Sequence, residues 1–316
     1  MLKPIIPLVG LLSKACLYVN KVQVSGLDVL QRALKESNGR GKGVLTISNH
    51  ISVVDEPFVW GCLPISQYFR PRDMRWTLGA SDIMFTNPIF SSFFRAGQVI
   101  ETFRGRGIYQ PAVNDAVRKL DDGAWIHLFP EGYVNQAGGL LRFRWGVGRI
   151  IMNTRAFPTI IPMWLSGFDK LMPESRSFPK FIPRLSPKHE VSITFGNPID
   201  FKASYSPLGP LTQKAAQLME LGERLETHRR RRRSDTIMYS QSPKPLFTQR
   251  PLYPLSDHLF PSRRHQLLEK RIQSETGLAE SLDYGISSEA EVVQLRKDVT
   301  AHLQECVHAL GKLVGK

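Results

Sequence analysis

Short apolar runs alternate with amphipathic segments over the first two thirds of the chain. Residues 44–48 and 125–129 are mainly apolar, and their length is typical of buried strands. Residues 111–120 carry apolar side chains at spacings of three and four, which predicts a helix. Strands that alternate with helices predict an α/β layered domain. The same pattern predicts further strands at residues 75–78, 98–101, 159–165 and 190–195 and further helices at 53–61 and 146–154.

The pattern divides the chain into four segments. An apolar segment at residues 1–20 precedes a folded domain that we place at 21–227, closed by a predicted helix at 211–228. Residues 228–287 are basic, contain Ser and Pro and lack sustained periodicity, so we expect a disordered insertion. Residues 288–316 predict an amphipathic helix. Its apolar positions are Val292, Leu295, Val299, Leu303, Val307 and Leu310.

Two apolar stretches raise the question of a membrane. Residues 1–20 contain Lys14 and fall short of the roughly 18 apolar residues of a spanning helix. No small-residue cleavage site follows, which disfavours a signal peptide. A buried first helix and an interfacial anchor fit this stretch about equally well. Residues 83–94 contain four Phe and are compatible with either core packing or a membrane-facing patch.

Composition narrows the classes of protein and of partner. The 316 residues carry 42 Lys and Arg against 28 Asp and Glu, a formal net charge of +14 that predicts nucleic acid or an anionic membrane as partner. A hydrophobic content of 42% excludes a fully disordered chain, and three scattered Cys exclude a disulfide scaffold and a Cys-based zinc site. The arginine run at 229–233 has no interleaved aromatic residues to stack bases, so a solvated insertion is favoured over a nucleic-acid patch.

His50 and Asp55 form the most informative pair of polar residues. The predicted strand at 44–48 ends just before His50, and Asp55 follows five positions later at the start of a predicted helix. A carboxylate bonded to one imidazole nitrogen fixes the tautomer, so that the other nitrogen can accept a proton near neutral pH. Metal binding is the weaker interpretation, because no further ligands lie nearby in sequence. A third interpretation is that His50 is a structural residue of the core.

Two further loops follow predicted strands. Residues 129–135 place Glu131 and Gly132 after one strand, and residues 102–109 place Arg104 and Arg106 among glycines after another. Paired guanidinium groups suit phosphate, and glycine lets a ligand approach the main chain closely. Because ligands gather at strand ends of α/β domains, we expect the three loops to share one cleft.

Four motifs in this order resemble those of the glycerolipid acyltransferase family. They are Asn49-His50-x4-Asp55, the glycine–arginine loop at 102–109, Phe-Pro-Glu-Gly at 129–132 and a proline-containing strand at 161–164. Residues 55–61, 74–77 and 141–149 are similar to the tafazzin branch in particular. The resemblance covers about residues 20–200 and the closing helix, and the insertion at 228–287 departs from it. It implies a single-domain layered fold with a mixed sheet flanked by helices.

The resemblance also implies a function. A tafazzin-like chain is expected to move acyl groups between phospholipids and lysophospholipids without CoA, remodelling cardiolipin on mitochondrial membranes that face the intermembrane space. His50 is then the general base and Asp55 its partner; Asn49, Arg104, Arg106, Glu131 and Gly132 form the substrate-binding set, with backbone N–H groups near Gly132 or in the Arg104 loop as oxyanion donors. No metal and no cofactor are expected, and the partners are cardiolipin, monolysocardiolipin and a membrane surface.

Two other functions stay open from the sequence. An acyltransferase that uses acyl-CoA as donor would carry the same four motifs and would act on a lysophospholipid or glycerol 3-phosphate. A basic nucleic-acid-binding protein would depend on the arginine run at 229–233 and on affinity that falls steeply with salt. The complete His50–Asp55 and Glu131–Gly132 motifs favour an enzyme.

Overall fold

A mixed sheet lies at the centre of the computed structural model, which describes residues 4–37, 42–175, 182–200 and 289–315. Within these residues the sheet has seven strands, in the order β1-β7-β6-β2-β5-β3-β4. The strands are β1 (Lys21–Ser25), β2 (Val44–Ser48), β3 (Trp76–Ala80), β4 (Val99–Thr102), β5 (Trp125–Leu128), β6 (Thr159–Ser166) and β7 (Glu190–Phe195).

Five neighbouring strands run in one direction. The pairs β6–β2, β2–β5, β5–β3 and β3–β4 are parallel, whereas β7 is antiparallel to β6 and parallel to β1. The predicted mixed α/β fold is therefore confirmed. β2 lies between β5 and β6, and all five of its residues are buried. A parallel strand covered on both faces needs this apolar character.

Helices connect and cover the strands. They are α1 (Ile5–Tyr18), α2 (Leu27–Ser37), α3 (Asp55–Val59), α4 (Ile65–Tyr68), α5 (Ser81–Met84), α6 (Pro88–Ala96), α7 (Pro111–Asp121), α8 (Gly146–Asn153), α9 (Phe168–Leu171) and α10 (Glu289–Leu313), with 3-10 turns at Trp60–Cys62 and Pro71–Asp73. The side chains of α1, α2 and α3 share one buried cluster with strand residues such as Val44 and Trp125. Alternate residues such as Leu45 and Ile126 are buried on the other face of the sheet.

Most of the predicted elements match the observed ones to within two residues. The predicted helix at 53–61 is two elements, α3 and the 3-10 turn that follows it. The apolar pattern misses β1, because this strand at the sheet edge is mostly exposed and has no apolar run. It also misses the helices α2, α4, α5 and α9, and it does not predict α6 as a helix, because residues 83–94 are compatible with either core packing or a membrane-facing patch. The predicted helix at 211–228 and the insertion at 228–287 lie outside the described residues.

The first helix has two different faces. In α1, Ile6 and Leu17 are buried, whereas Leu8, Leu11 and Leu12 are exposed on their other side. Ile5 approaches Gly97, the residue that follows α6. Within the described part of the chain, no helix is at once long and apolar enough to cross a membrane.

The closing helix packs on the domain as its spacing predicts. Val299, Leu303 and Val307 are fully buried in α10. Gly311 lies against the Trp164 ring of β6, and Gly148 of α8 lies against Thr300. Small residues at these positions let the helix approach the strand and its neighbour closely. The chain divides into two compact units, and these contacts all lie within the first, Met1–Phe201 with Arg296–Lys316.

Candidate active site

The loops with the predicted site residues leave the same end of the parallel strands. His50 follows β2, Glu131 follows β5, and Arg104 follows β4. Because β2 pairs directly with β5, the first two loops are neighbours, while β3 separates β5 from β4. The sheet thus brings His50 and Glu131, which are 81 positions apart, into direct contact.

Asp55 organises the turn that carries His50. Its Oδ2 atom accepts hydrogen bonds from His50 Nδ1 at 2.9 Å and from the main-chain N–H groups of Ile51 and Ser52 at 2.7 Å each. Burial raises the pKa of the Asp55 carboxyl above its ordinary value of 3.8, and the hydrogen bonds from His50, Ser52 and Ile51 partly offset this rise. The side chain is completely buried. The six-residue turn between β2 and α3 therefore holds the imidazole in one tautomer, with its proton on Nδ1.

The imidazole is fixed from a second direction. The Phe129 ring stacks on the His50 ring with centroids 4.1 Å apart and planes inclined by 20°. Among the described residues, Nε2 of His50 has no hydrogen-bond partner, and 18% of the side chain is exposed. This nitrogen is consequently the one that can meet a substrate proton.

A second histidine, His127, packs against the Phe129 ring that stacks on His50. His127 of β5 is completely buried, its Nδ1 lies 2.8 Å from Thr46 Oγ1, and its ring packs edge-on against Phe129 and Trp60. Burial, with smaller effects of Arg75 and His50, holds the pKa of His127 well below its ordinary value. His127 is therefore a neutral packing residue beside the candidate base.

Glu131 connects the loop after β2 with a later part of its own loop. One carboxylate oxygen accepts from the His50 main-chain N–H at 2.8 Å, and the other accepts from the Leu141 N–H at 2.8 Å. Only 2% of the residue is exposed, and burial raises the pKa of its carboxyl group. Both oxygens are thus occupied by main-chain donors, which favours a role in shaping the site over direct contact with a substrate hydroxyl.

Asn49 and Gly132 also use their polar groups within the protein. The Asn49 amide donates to the Leu165 carbonyl at 2.9 Å and accepts from the Leu165 N–H at 2.8 Å, which joins the ends of β2 and β6. Gly132 has a φ of +76°, which favours glycine, and its N–H donates to Phe129 O at 3.1 Å. That N–H is therefore already used within the turn.

The arginine loop contacts the loop that carries Glu131. Arg104 pairs with Asp82 of α5, with Nε 3.1 Å from Oδ1, and its guanidinium carbon is 5.3 Å from the centre of the Tyr133 ring. This pairing lowers the pKa of the Asp82 carboxyl. Arg106 instead lies over Phe103 of its own loop, 4.6 Å from the ring centre. Arg104 thus contacts the Glu131–Gly132 loop through Tyr133, whereas the contact of Arg106 with Phe103 stays within the arginine loop.

The structure adds residues that the sequence pattern does not assign to the site. Arg144 lies 5.3 Å from the Tyr133 ring centre, so Tyr133 is in contact with Arg104 and Arg144. Glu56, next to Asp55, accepts from Arg75 at 2.5 and 2.9 Å and fastens α3 to the loop before β3. Glu56, Arg75 and Arg144 lie in the segments 55–61, 74–77 and 141–149, which the sequence analysis used for the family resemblance without assigning a role to these residues.

The arrangement is suited to proton transfer at a hydroxyl group. A histidine with a fixed tautomer, an open Nε2 and a buried carboxylate partner is the arrangement of a general base. In the parts of the chain that the structure describes, no group of three His, Cys, Asp or Glu side chains is placed to hold a metal ion. The His50–Asp55 pair is suited to acid–base catalysis.

Comparisons with known proteins agree with the geometry. Residues 21–166 match the family model described as Acyltransferase. The chain is similar to "Taffazin" of Dictyostelium discoideum (40% identical over 175 residues, 54% of this chain and 61% of the relative) and to "Tafazzin" of Drosophila melanogaster (40% over 199 residues, 62% and 50%). It is also similar to "N-acylphosphatidylethanolamine synthase" of Arabidopsis thaliana (38% over 183 residues, 58% and 64%).

One solved structure is also similar to this chain. It is the 1-acyl-sn-glycerophosphate acyltransferase PlsC of Thermotoga maritima, at 18% identity and a TM-score of 0.44 over 76% of this chain and 80% of that one. The curated relatives just named match this chain over 50 to 64% of their own length. The resemblance predicted from the four motifs is confirmed at the level of a tafazzin-like acyltransferase domain.

Proposed function

We propose that the protein is a phospholipid–lysophospholipid transacylase, because residues 21–166 match the acyltransferase family model and the chain is similar to tafazzins. The observation that carries the proposal is the His50–Asp55 pair with an open Nε2. The proposed acceptor is a lysophospholipid hydroxyl, and the proposed donor is an acyl ester of a second phospholipid. No CoA carrier is required.

The first step is removal of a proton by His50. Nε2 takes the proton of the lysophospholipid hydroxyl while Asp55, bonded to Nδ1, stabilises the imidazolium that forms. Phe129 and the main-chain bond from His50 to Glu131 keep the ring from turning away. The hydroxyl oxygen attacks the ester carbonyl of the donor and gives a tetrahedral intermediate.

The second step returns the proton. The bond between the acyl carbon and the donor's glycerol oxygen breaks, and this oxygen takes the proton from His50 Nε2. The products are a new phospholipid and a new lysophospholipid, so atoms and charge balance without a covalent enzyme intermediate. The reverse reaction uses the same residues in the opposite order.

The lipid phosphate is assigned to the arginine loop. Arg104 is partly exposed and lies on Tyr133, next to the Glu131–Gly132 turn, and a guanidinium group binds phosphate oxygens in a bidentate manner. A phosphate would then replace Asp82 as its partner. Cardiolipin and monolysocardiolipin, with two phosphates each, are the proposed lipids, and mitochondrial membranes facing the intermembrane space are the proposed location.

Two related reactions compete with this proposal. An acyl-CoA-dependent acyltransferase would carry out the same attack on a thioester. The likeness to an N-acylphosphatidylethanolamine synthase raises a third possibility, in which the acceptor is the amine of a phospholipid headgroup. The three reactions differ in donor or in product, so one set of assays separates them.

We expect His50→Ala to lower acyl transfer by at least ~100-fold, because the loss of a general base has effects of that size. Transfer of a labelled acyl chain from phospholipid to lysophospholipid in mixed vesicles measures it. His308→Ala, an exposed histidine of α10, is the matched control and should keep wild-type activity. Retention of more than a tenth of the activity in a folded His50→Ala protein would exclude the general-base role.

The same assay, repeated with added acyl-CoA and with phosphatidylethanolamine as acceptor, decides between the three reactions. Transfer without acyl-CoA into an alkali-labile ester supports the transacylase. Transfer that requires acyl-CoA supports the first alternative. An alkali-stable amide product supports the second.

A further inference from the structure

Two exposed aromatic rings in the segment that follows β5 each have two cationic side chains close to them. Tyr133 has Arg104 and Arg144 at 5.3 Å from its ring centre. Trp145 has Arg142 at 5.6 Å and Lys297 of α10 at 5.4 Å. Tyr133 is 48% exposed and Trp145 36%. We call the side chains of Arg142, Arg144, Trp145 and Lys297 the cationic platform. Through Arg144 it contacts Tyr133, the ring that Arg104 of the arginine loop also contacts.

The segment that carries the platform is held in place on two sides. Towards the cleft, the Leu141 N–H donates to Glu131 and the Arg144 N–H donates to Pro130 O at 2.8 Å. Towards α10, the Phe143 N–H donates to Gln304 at 3.0 Å, and the Phe143 side chain is only 1% exposed. A buried Phe143 between two outward arginines makes this a built surface rather than a loose loop.

The charge on the platform has no counterpart among the residues that the structure describes. Arg104 has Asp82, whereas no described carboxylate lies within ion-pair distance of Arg142, Arg144 or Lys297. Exposed tyrosine and tryptophan side by side with Arg and Lys are typical of the membrane–water interface, where rings lie at headgroup depth and cations meet phosphates. The chemistry that fits is a lipid phosphodiester.

From these contacts we infer that the cationic platform binds the phosphodiester of the second lipid, the acyl donor, while Arg104 binds that of the acceptor. This inference rests on the proposed function, which requires two lipids at His50 at once. Tyr133, in contact with Arg104 and with Arg144, separates the two phosphates.

The test is a triple variant, Arg142→Gln, Arg144→Gln and Lys297→Gln, in the full chain. A control variant removes the same charge at exposed cations elsewhere, as Lys35→Gln, Arg72→Gln and Lys188→Gln. Transacylation is measured in mixed micelles with the mole fractions of donor phospholipid and of lysophospholipid varied separately. The platform variant should raise the KM for donor by at least ~10-fold, with a much smaller change for acceptor, since each interfacial cation contributes a sizeable share of the attraction.

Binding without turnover is measured in parallel, with each set of substitutions placed on His50→Ala. Vesicles of phosphatidylcholine with phosphatidylglycerol should lose affinity for the platform variant and keep it for the control. Equal effects of the two variants on donor KM and on vesicle binding would overturn the inference. Competition by soluble glycerol 3-phosphate as strong as that by vesicles would assign the site to a free phosphate ester. If the platform variant lost binding to a short single-stranded RNA but not to vesicles, the site would be assigned to nucleic acid. Either of these two results would overturn the lipid assignment.

The two levels of the proposal fail in different ways. If the wild-type chain transfers no acyl group between phospholipids, the proposed function fails, and the vesicle experiment still reports on the platform. If the wild type is active and the platform variant matches its control, only the inference about the second phosphate fails.

Discussion

At the scale of single residues, the carboxylates around His50 have different tasks. Asp55 bonds the imidazole itself and sets its tautomer, while Glu131 bonds the main chain of His50 and of Leu141. Both are buried, and burial raises the pKa of both carboxyl groups. Buried carboxylates that accept several main-chain donors are typical of groups that hold a site in shape. Their substitution should therefore separate catalysis from stability.

We expect Glu131→Gln to lower kcat by about 10- to 100-fold with little change in the KM for either lipid, because a small misplacement of the base has effects of this size. The amide replaces one acceptor oxygen with a donor, which then faces a main-chain N–H. Steady-state kinetics in mixed micelles measure the change. Glu36→Gln, at an exposed position, is the control. A rise in KM with unchanged kcat would instead indicate that Glu131 binds substrate.

Asp55→Asn should abolish most activity and change the pH dependence of stability. Since burial raises the pKa of Asp55 above 3.8, the folded state holds this proton more tightly than the unfolded state. The contribution of the carboxyl to stability is thus complete below the ordinary pKa and is lost as pH rises through the raised one. The wild type should lose free energy of unfolding relative to the variant as pH rises.

Urea unfolding from about pH 4 to about pH 8 measures this difference. Repeating the comparison in a His50→Ala background removes the titration of the histidine. A wild type that gains stability over Asp55→Asn with rising pH would contradict the sign of the shift.

At the scale of elements, the last helix contributes to the site although it lies far away in sequence. α10 presents Lys297 to Trp145 and Gln304 to the Phe143 N–H, while its buried face packs on the domain. Its approach to α8 depends on Gly148. A Cβ atom there would lie 2.5 Å from Thr300 Oγ1 and 2.8 Å from the Arg296 carbonyl. The position of α10, and with it of Lys297 and Gln304, therefore depends on this close contact with α8.

Gly148→Ala should lower the free energy of unfolding by about 1–3 kcal/mol, the usual cost of inserting a methyl group where no space exists. Gly146→Ala is a control in the same helix, because a Cβ atom there would have no neighbour within 4 Å. Urea unfolding of both variants measures the difference. Equal stability of the two would show that α10 can move away from α8 without cost.

At the scale of the whole molecule, charge and exposed apolar surface point to a lipid surface together. The net charge of +14 is accompanied by exposed apolar side chains on α1 and α6. Those on α1 include Leu8, Leu11 and Leu12, and those on α6 include Ile89, Phe90 and Phe93. Ile5 of α1 lies against Gly97 at the end of α6, so the two helices are neighbours. An interfacial anchor formed by these helices stays a prediction.

Leu8→Gln, Leu12→Gln and Phe90→Gln together should lower binding to uncharged phosphatidylcholine vesicles by at least about tenfold. The reason is that the transfer of each apolar side chain from water into the membrane lowers the free energy of the bound state. Vesicle sedimentation measures the affinity. Val24→Gln, Ile182→Gln and Leu313→Gln remove exposed apolar side chains elsewhere and should have little effect. A similar loss in both variants would mean that α1 and α6 do not form the docking surface.

Local patterns were enough to identify most strands and the central pair of the site. β2 and β5 are short apolar runs buried on both faces, and His50 and Asp55 are close because one turn joins a strand to a helix. Both features depend on neighbours in sequence. The edge strand β1 was missed, since its mostly exposed residues receive their partner only from β7.

Long-range pairing decided the rest. The bonds from Glu131 to His50 and to Leu141 exist because β2 and β5 are adjacent, which no local pattern contains. Tyr133 comes between Arg104 and Arg144, and Lys297 reaches Trp145, only when loops from different strands and the last helix meet at one end of the sheet. Sequence alone determined the chemistry of the candidate base. Tertiary structure decided which side chains hold that base and which cationic and aromatic side chains lie together, since contacts between distant segments depend on strand order and packing.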